Sequence, residues 1–97
     1  MNHLNTKTVE RLFHAILNLE NIDECRNFFE DICTVKEIRD IAQRLEVAEL
    51  LDMGTSYQEI YEKTNVSTAT ISRVSKCLNY GNGGYKSAIE KLKKTEK

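Results

Sequence analysis

The sequence contains no proline, and apolar residues recur at three- and four-residue spacing along most of its length. Because proline is the residue that breaks helix interiors, its absence leaves long helices free to form. The first apolar stripe fits one face of an amphipathic helix and consists of Val9, Leu12, Phe13, Ile16 and Leu17. No segment alternates apolar and polar residues in the manner of a strand. We therefore predict an all-α protein of about six helices.

Three helices are predicted in the first half of the chain, over about residues 5–19, 22–32 and 35–53. Asn21 with Glu24, and Thr34 with Glu37, have the spacing of capping boxes, in which each side chain accepts a hydrogen bond from a free backbone N–H. Gly54 ends the third helix, because glycine readily adopts the left-handed conformation of a helix C-terminus.

The second half of the chain has the spacing of a helix-turn-helix. Ser56 begins a short helix of about two turns, and Thr64 and Asn65 interrupt it. Ser67 is the N-cap of the next helix, so residues 56–79 form the complete motif. A glycine-rich turn separates this motif from a last amphipathic helix over about residues 85–94.

Length and charge limit the organisation of the protein. The 97 residues are enough for one compact domain and too few for two. The net charge is -1, but counting Lys and Arg against Asp and Glu gives -3 for residues 1–33, -3 for residues 34–65 and +5 for residues 66–97. A uniformly basic nucleic-acid coat is excluded, so any polyanion site must be local, and the last third is the basic part of the chain.

The cysteines and the shortness of the apolar runs are both typical of a cytoplasmic protein. Cys25, Cys33 and Cys77 form no CxxC pair, which argues against a disulfide framework and a zinc site, and we expect reduced thiols packed in the core. The longest apolar runs, such as residues 15–17, fall far short of a membrane span, and the N-terminus does not resemble a signal peptide. We therefore expect a cytoplasmic protein with no membrane partner.

An enzyme needs a nucleophile with a base, a metal cluster or a phosphate-binding loop, and the sequence contains none that is recognisable. His3 and His14 have no partner at metal-ligand spacing. The glycine-rich residues 81–84 lack the preceding strand and the following Lys-Ser/Thr of a nucleotide-binding loop. We predict that the protein is not an enzyme and uses no metal and no cofactor.

The second helix of the motif has the composition of a DNA-reading helix. Residues 66–80 include no acidic residue. Small, hydroxyl-bearing or basic side chains are expected to project away from the apolar stripe of Ile71, Val74 and Leu78, and these are Thr68, Ala69, Ser72, Arg73 and Lys76. Small residues let a helix enter the major groove, hydroxyls bind bases or phosphates, and Arg or Lys binds phosphate or guanine. The free amides at the start of the helix can also hold a phosphate.

The alternative function is a helix-turn-helix that docks on another protein and does not itself bind DNA. Two short helices also pack at corners in many all-α proteins, and a helix start rich in Ser and Thr is sometimes only a cap. A protein-docking helix would carry larger apolar residues than Thr68, Ala69 and Ser72 on its outer face. The composition therefore favours double-stranded DNA as the partner.

Most of the chain resembles the Trp repressor superfamily, most closely its Trp-repressor-related proteins of the YerC/YecD type, and the likeness rests on the residues from Thr34 onward. The matching residues of the long helix are Thr34, Glu37, Arg44 and Gly54, and residues 70–73 resemble the start of the recognition helix. Residues 66–74 alone also resemble the headpiece of Lac-repressor-type regulators, but the long helix before them distinguishes the two families.

The resemblance implies a sequence-specific transcriptional regulator, acting as a repressor, that forms an intertwined homodimer with two reading heads. Its segments would be a dimerisation core over residues 1–54, the helix-turn-helix over 56–79, and a C-terminal helix with a basic tail over 84–97. Candidate dimer-core anchors are Phe13, Phe28 and Phe29. The predicted DNA-binding residues are Tyr57, Gln58, Lys63, Ser67, Thr68, Ala69, Thr70, Ser72, Arg73 and Lys76.

The resemblance also implies a candidate effector pocket. In the Trp repressor, an indole lies between two arginines that correspond here to Arg44 and Arg73, near a threonine that corresponds to Thr34. Val74 replaces a glycine that makes room for the ligand, and Cys77 replaces a serine near the ligand's amino group. The loop after the long helix is also one residue shorter. We therefore expect DNA binding that does not depend on tryptophan, and a different small-molecule effector stays open.

A second interpretation of Arg44 needs no ligand. Glu37 and Asp40 lie seven and four residues earlier on the same predicted helix, so Arg44 could be a solvated residue or one paired with these carboxylates.

Overall fold

The computed structural model describes residues 3–96, which form six α-helices and no strand. The helices are α1 Lys7–Leu17, α2 Ile22–Ile32, α3 Val35–Asp52, α4 Tyr57–Thr64, α5 Thr68–Tyr80 and α6 Gly84–Thr95. The predicted all-α class is confirmed, and the predicted helix ends agree with the observed ones to within about two residues. No helix in the described part of the chain is long and apolar enough to cross a membrane.

The predicted polar caps hold the helix starts. Thr34 and Glu37 form a complete capping box, in which Glu37 N donates to Thr34 Oγ1 at 3.1 Å and Thr34 N donates to Glu37 Oε1 at 2.8 Å. At α2, Asn21 Oδ1 accepts from Glu24 N at 2.9 Å, as predicted. The Glu24 carboxylate, however, accepts from Glu20 N at 3.0 Å, one residue earlier than a capping box requires. That half of the prediction is wrong.

α3 ends in a Schellman motif that turns the chain into α4. Gly54 N donates to Leu51 O at 3.0 Å, and Thr55 N donates to Leu50 O at 3.0 Å. Gly54 has a φ of +85°, a left-handed conformation that costs a residue with a side chain roughly 1–2 kcal/mol. The predicted left-handed helix end at this glycine is confirmed.

The chain divides into two compact units, and the boundary lies between Ile38 and Arg39, inside α3. The second unit holds the buried residues of the described chain, all of them apolar, and these are Val47, Ala48, Ile60, Val66, Ile71, Val74, Leu78 and Ile89. They come from α3, α4, α5, α6 and the turn between α4 and α5, and α5 packs on both α4 and α6. Hydrophobic burial around α5 therefore holds this unit together.

The first unit contains amphipathic helices without a buried residue. Phe28 and Phe29 on α2 are half-buried and contact each other edge to face, with ring centroids 5.5 Å apart. Phe13 is 44% exposed, and Leu17 and Ile22 are 77% and 73% exposed. Large apolar side chains of α1 and α2 therefore face solvent in the single chain.

The cysteines are not packed in a core, and that prediction is wrong for the single chain. All three thiols are free, Cys25 and Cys77 are exposed, and Cys33 is partly buried. Cys25 lies on α2, which buries no residue. Cys77 lies on α5 at the border of the buried stripe, where it lines a cavity.

An ion pair joins the last helix to the end of α3. Lys93 Nζ lies 2.9 Å from Asp52 Oδ2, and the two residues are 41 positions apart in the chain. The hydrogen bond from Lys93 to Asp52, together with the charge of Asp52, raises the pKa of Lys93 above its ordinary value. A raised amine pKa stabilises the fold at pH values below the ordinary lysine pKa, and this contribution is lost as the pH rises through the raised pKa.

We predict that Asp52→Asn lowers the pKa of Lys93 toward its ordinary value, because the negative charge is removed and the amide oxygen that remains is a neutral, weaker acceptor. The measurement is an NMR pH titration of the lysine side-chain signals, with Glu62→Gln on α4 as the matched control. At neutral pH, Asp52→Asn should also unfold at a slightly lower temperature, and added salt should narrow that difference. An unchanged Lys93 pKa in Asp52→Asn would contradict the pairing.

Candidate nucleic-acid interface

α4 and α5 are joined by a tight turn of residues 65–67. Asn65 is left-handed, with φ of 59°, and its N–H donates to Tyr61 O at 2.8 Å. Asparagine is among the residues that adopt this conformation most readily. Thr64 Oγ1 donates to a carbonyl of α4 at 2.7 Å and accepts from Val66 N at 3.2 Å, and Val66 itself is buried. These bonds, with the buried valine, fix the angle at which α5 leaves α4.

α5 separates its residues into a buried and an exposed face. Ile71, Val74 and Leu78 are buried. On the other face the side chains are exposed, and they are Thr68, Ala69, Ser72, Arg73 and Lys76; the N-cap Ser67 is exposed as well. Thr70 lies between the two faces and is partly buried. The separation follows the 3.6-residue period that the sequence predicted.

The start of α5 has an electropositive character. Ser67 Oγ accepts from Thr70 N at 3.3 Å and donates to Thr70 Oγ1 at 3.1 Å, so the first turn is capped by its own hydroxyls. The first N–H groups of a helix have no partner within the helix, and the helix dipole adds partial positive charge there. The first turn of α5 includes no acidic residue that would neutralise this charge.

The three residues predicted on α4 lie at two places. Tyr57 and Gln58 are exposed at the start of the helix, and Lys63 is exposed in its last turn. Gln58 Nε2 donates to Glu62 Oε2 at 3.1 Å, which holds the amide along the surface of α4. The structure thus brings Tyr57 and Gln58 together and leaves Lys63 at the other end of the helix.

A small cavity lies beside α5 within the second unit. Its volume is about 210 Å³, and its walls are formed by Arg44, Thr70, Arg73, Val74, Cys77 and Tyr85. Four of the five residues of the candidate effector pocket therefore meet here. The fifth, Thr34, belongs to the first unit, where it caps α3.

The two arginines that line this cavity are not neutralised by a carboxylate among the described residues. Within the described residues, neither Arg44 nor Arg73 makes an ion pair or a side-chain hydrogen bond. Among the described residues Arg44 forms no ion pair with Glu37, whose carboxylate accepts from Thr34 N at 2.8 Å. Asp40 lines a neighbouring cavity together with Arg44.

Tyr85 is the cavity residue that sequence reasoning missed. The apolar spacing of α6 assigns it to the core-facing side of that helix, and it is indeed partly buried against the core. It reaches the cavity because the turn after α5 directs α6 back onto α5. That turn is tight, since a Cβ at Gly81 would overlap the carbonyl oxygen of Cys77. No local pattern around Tyr85 indicates this position.

Val74 belongs both to the core and to the wall of the cavity. Its side chain is 3% exposed and packs in the cluster with Ile71 and Leu78. The remaining cavity of about 210 Å³ is smaller than the roughly 300–1,000 Å³ typical of pockets for drug-sized ligands. A glycine at this position would leave three carbons fewer in that wall.

No group of three or more His, Cys, Asp or Glu side chains in the described part of the chain is arranged to hold a metal ion.

These features place the protein in the class of all-α proteins with a helix-turn-helix whose second helix presents a polar, acid-free face. Within that class the chain belongs to the Trp repressor family, because the family described as Trp repressor protein matches residues 7–93. The resemblance predicted from the long helix and the motif is confirmed.

Individual relatives agree with this assignment. The uncharacterized protein YerC of Bacillus subtilis strain 168 is 50% identical over 93 residues, which cover 96% of this chain and 89% of YerC. A solved TrpR-like protein from Eubacterium eligens superposes with a TM-score of 0.91 at 53% identity, over 95% of each chain. A candidate Trp repressor from Staphylococcus aureus superposes with a TM-score of 0.88 at 43% identity, over 93% of this chain and 90% of that one.

Proposed function

We propose that the protein is a transcriptional regulator, acting as a repressor, that binds double-stranded DNA with α5 in the major groove. The observation that carries this proposal is the exposed face of α5, which combines small and hydroxyl-bearing residues with Arg73 and Lys76 and has no carboxylate. A major groove about 12 Å wide admits a helix with this kind of face.

The contacts divide by chemistry. Thr68, Ala69 and Ser72 are short enough to let α5 approach base edges, whereas Arg73 and Lys76 are long enough to reach phosphates or guanine. Tyr57 and Gln58 lie exposed at the start of α4, a helix end that can hold a phosphate. Specificity would therefore come from the first turns of α5, and much of the affinity from charge.

A homodimer supports the same function, because two reading heads on one molecule bind two half-sites. The apolar faces of α1 and α2 favour it, since neither helix buries a residue in the single chain. An open, mostly apolar groove of about 570 Å³ in the second unit adds exposed Ile41 and Ala88 to the surface a partner could cover. Exposed apolar surface of this extent is rare on monomeric proteins and usually belongs to an interaction site.

DNA binding without tryptophan is part of the proposal. Val74 is buried and narrows the cavity beside Arg44 and Arg73. An indole ring that displaces the packed Val74 side chain would strain the core, which typically costs about 1–3 kcal/mol, or about a five-fold to hundred-fold loss of affinity. The same side chain packs α5 against the core, so it can hold the reading head where a ligand would otherwise be needed.

We predict that Arg73→Ala and Lys76→Ala weaken binding to a DNA site selected from random duplexes. If either residue contacts a phosphate, the loss of affinity should be similar for all DNA sequences. The negative slope of log affinity against log salt should also become shallower, by about 0.9 for each lost contact. Anisotropy titrations at several salt concentrations measure both quantities. Arg11→Ala, an exposed arginine on α1, is the matched control and should bind as wild type.

Replacing Thr68 or Ser72 with a bulky residue should lose specific binding first and leave non-specific binding nearly intact, because these residues carry no charge. If the selection enriches no sequence, and the Arg73 and Lys76 variants bind random DNA as wild type does, the protein-docking function replaces this one.

We predict a dimer of twice the 11.2 kDa chain mass in light scattering behind a sizing column. Phe13→Asp should raise the dimer dissociation constant by about 30-fold to 1,000-fold, the effect of losing an apolar anchor worth about 2–4 kcal/mol. Thr8→Asp adds the same single negative charge at another exposed position of α1 and is the control. A stable monomer at micromolar concentration would contradict the dimer.

We predict that tryptophan neither binds tightly in titration calorimetry nor changes the DNA affinity of the wild type. Val74→Gly should lower DNA affinity by loosening the reading head and should enlarge the cavity enough to admit an indole ligand. Val74→Ala is the control, because it removes most of the packed side chain but keeps a residue that favours the helix. Glycine inside a helix costs about 1 kcal/mol by itself. Tight tryptophan binding by the wild type, or DNA affinity that depends on tryptophan, would contradict the role assigned to Val74.

A further inference from the structure

We propose that Asn82 is a site of spontaneous deamidation, where the residue converts to aspartate and isoaspartate as the protein ages, and that the new carboxylate weakens pairing with a second copy of the chain. Asn82 and Gly83 are the only Asn-Gly pair in the sequence. They lie in the turn between α5 and α6. The chemical change depends on the single chain alone, whereas its effect on the dimer rests on the proposed function.

The reaction needs only these two residues and water. The backbone nitrogen of Gly83 gives up its proton and attacks Cγ of Asn82, and the Cγ–Nδ2 bond breaks. The amide nitrogen leaves as ammonia with that proton, and a succinimide ring remains. Water then opens the ring at one of its carbonyl carbons, which gives aspartate or isoaspartate, whose backbone continues through Cγ. Because the nucleophile and the carbonyl carbon belong to adjacent residues, the attack is intramolecular and pays little entropy.

The structure leaves both reacting groups accessible. In the described part of the chain, neither the Asn82 side chain nor the Gly83 N–H has a hydrogen-bond partner. Both residues are exposed, and a Cβ at Gly83 would meet no atom within 4 Å. Glycine also lacks a side chain that would hinder the approach of its nitrogen. The attack is therefore opposed neither by burial nor by a hydrogen bond that must first break.

The start of α6 favours the reaction electrostatically. Gly83 is the N-cap of this helix, which has no side-chain cap and no acidic residue in its first turn. The unpaired N–H groups and the helix dipole place partial positive charge beside Gly83. Positive charge at this place favours loss of the Gly83 proton and stabilises the oxyanion that forms when the nitrogen adds to Cγ.

Two other exposed asparagines lack this combination. After Asn65, the N–H of the next residue already donates to a threonine hydroxyl at 3.2 Å, and that residue is the buried, β-branched Val66. Asn79 lies inside α5, where its Nδ2 donates to Ser75 O at 2.9 Å. Exposure alone therefore does not select the site, and the free Gly83 nitrogen distinguishes Asn82.

Conversion places a negative charge at the open groove of about 570 Å³ in the second unit. Asn82 lines this groove together with the exposed Ile41 and Ala88. A second copy that covers the groove removes the carboxylate from water, which is unfavourable. Arg44 is the one charged residue in the lining, and it is exposed, so an ion pair with it contributes little. We expect the dimer dissociation constant to rise by about ten-fold or more.

The first experiment ages the purified protein at physiological temperature and mildly alkaline pH. Trypsin then releases residues 77–86 as one peptide, which contains Asn79 as well as Asn82. Fragment ions should place the change from amide to acid at Asn82 and leave Asn79 unchanged. In isotopically labelled water the product should take up labelled oxygen, and an isoaspartyl carboxyl methyltransferase should methylate the isoaspartate fraction. Asn82→Gln should stay unmodified, because its longer side chain would have to close a larger ring.

A synthetic peptide of residues 77–86 is the reference for an unrestrained Asn-Gly pair. The folded protein should convert at a rate comparable to that of the peptide. If Asn82 stays intact in the folded protein while the peptide converts completely, the site is overturned. Conversion of Asn65 or Asn79 as fast as Asn82 would overturn the role assigned to the free Gly83 nitrogen.

The second experiment measures the dimer dissociation constant of Asn82→Asp by analytical ultracentrifugation. Ser87→Asp is the matched control, because it adds the same charge at an exposed position of α6 that does not line the groove. A rise of about ten-fold or more in Asn82→Asp alone supports the effect on pairing. Equal dissociation constants in Asn82→Asp and wild type overturn that effect. A wild type that stays monomeric overturns the proposed homodimer, while the peptide map still decides whether Asn82 converts.

Discussion

Burial of one face of α5 is the constraint on which the second unit depends. Ile71, Val74 and Leu78 lie in the centre of the cluster to which α3, α4 and α6 also contribute. Because a helix turns once every 3.6 residues, fixing this stripe inward fixes the residues between its members outward. The polar face of α5 is thus a direct result of how the core packs. A change in that packing would rotate or tilt the whole proposed reading surface, since the side chains that face solvent are carried by the same helix.

Val74 and Arg73 are neighbours in the sequence with opposite surroundings, and their proximity couples the core to the surface. Val74 is a core residue whose edge reaches the small cavity, and Arg73 lines the cavity from the exposed side of α5. Arg44 completes the cavity from α3. Anything that binds there therefore contacts both the helix we propose reads DNA and the helix that supports it.

The two units differ in how much of their apolar surface they bury. The second unit buries its apolar stripes among four helices, whereas α1 and α2 of the first unit bury no residue. The long helix α3 belongs to both units, with its start capped in the first and its end packed in the second. The second unit therefore has its own hydrophobic core, whereas α1 and α2 form an amphipathic segment whose apolar faces stay exposed in the single chain. The family relationship and our proposal of a homodimer both agree with that division of roles.

Local features of the sequence determined the helices, because caps, stops and apolar spacing act over a few residues. The Thr34–Glu37 box, the left-handed Gly54, the caps at Ser56 and Ser67, and the two faces of α5 all follow from the chain itself. The tertiary structure alone decided which residues from distant segments meet. It placed Tyr85 beside Arg44 and Arg73, paired Lys93 with Asp52 across 41 positions, and left Cys25 and Cys77 exposed. These outcomes depend on how helices pack against one another, and periodicity within one helix carries no information about the partner that its face will meet.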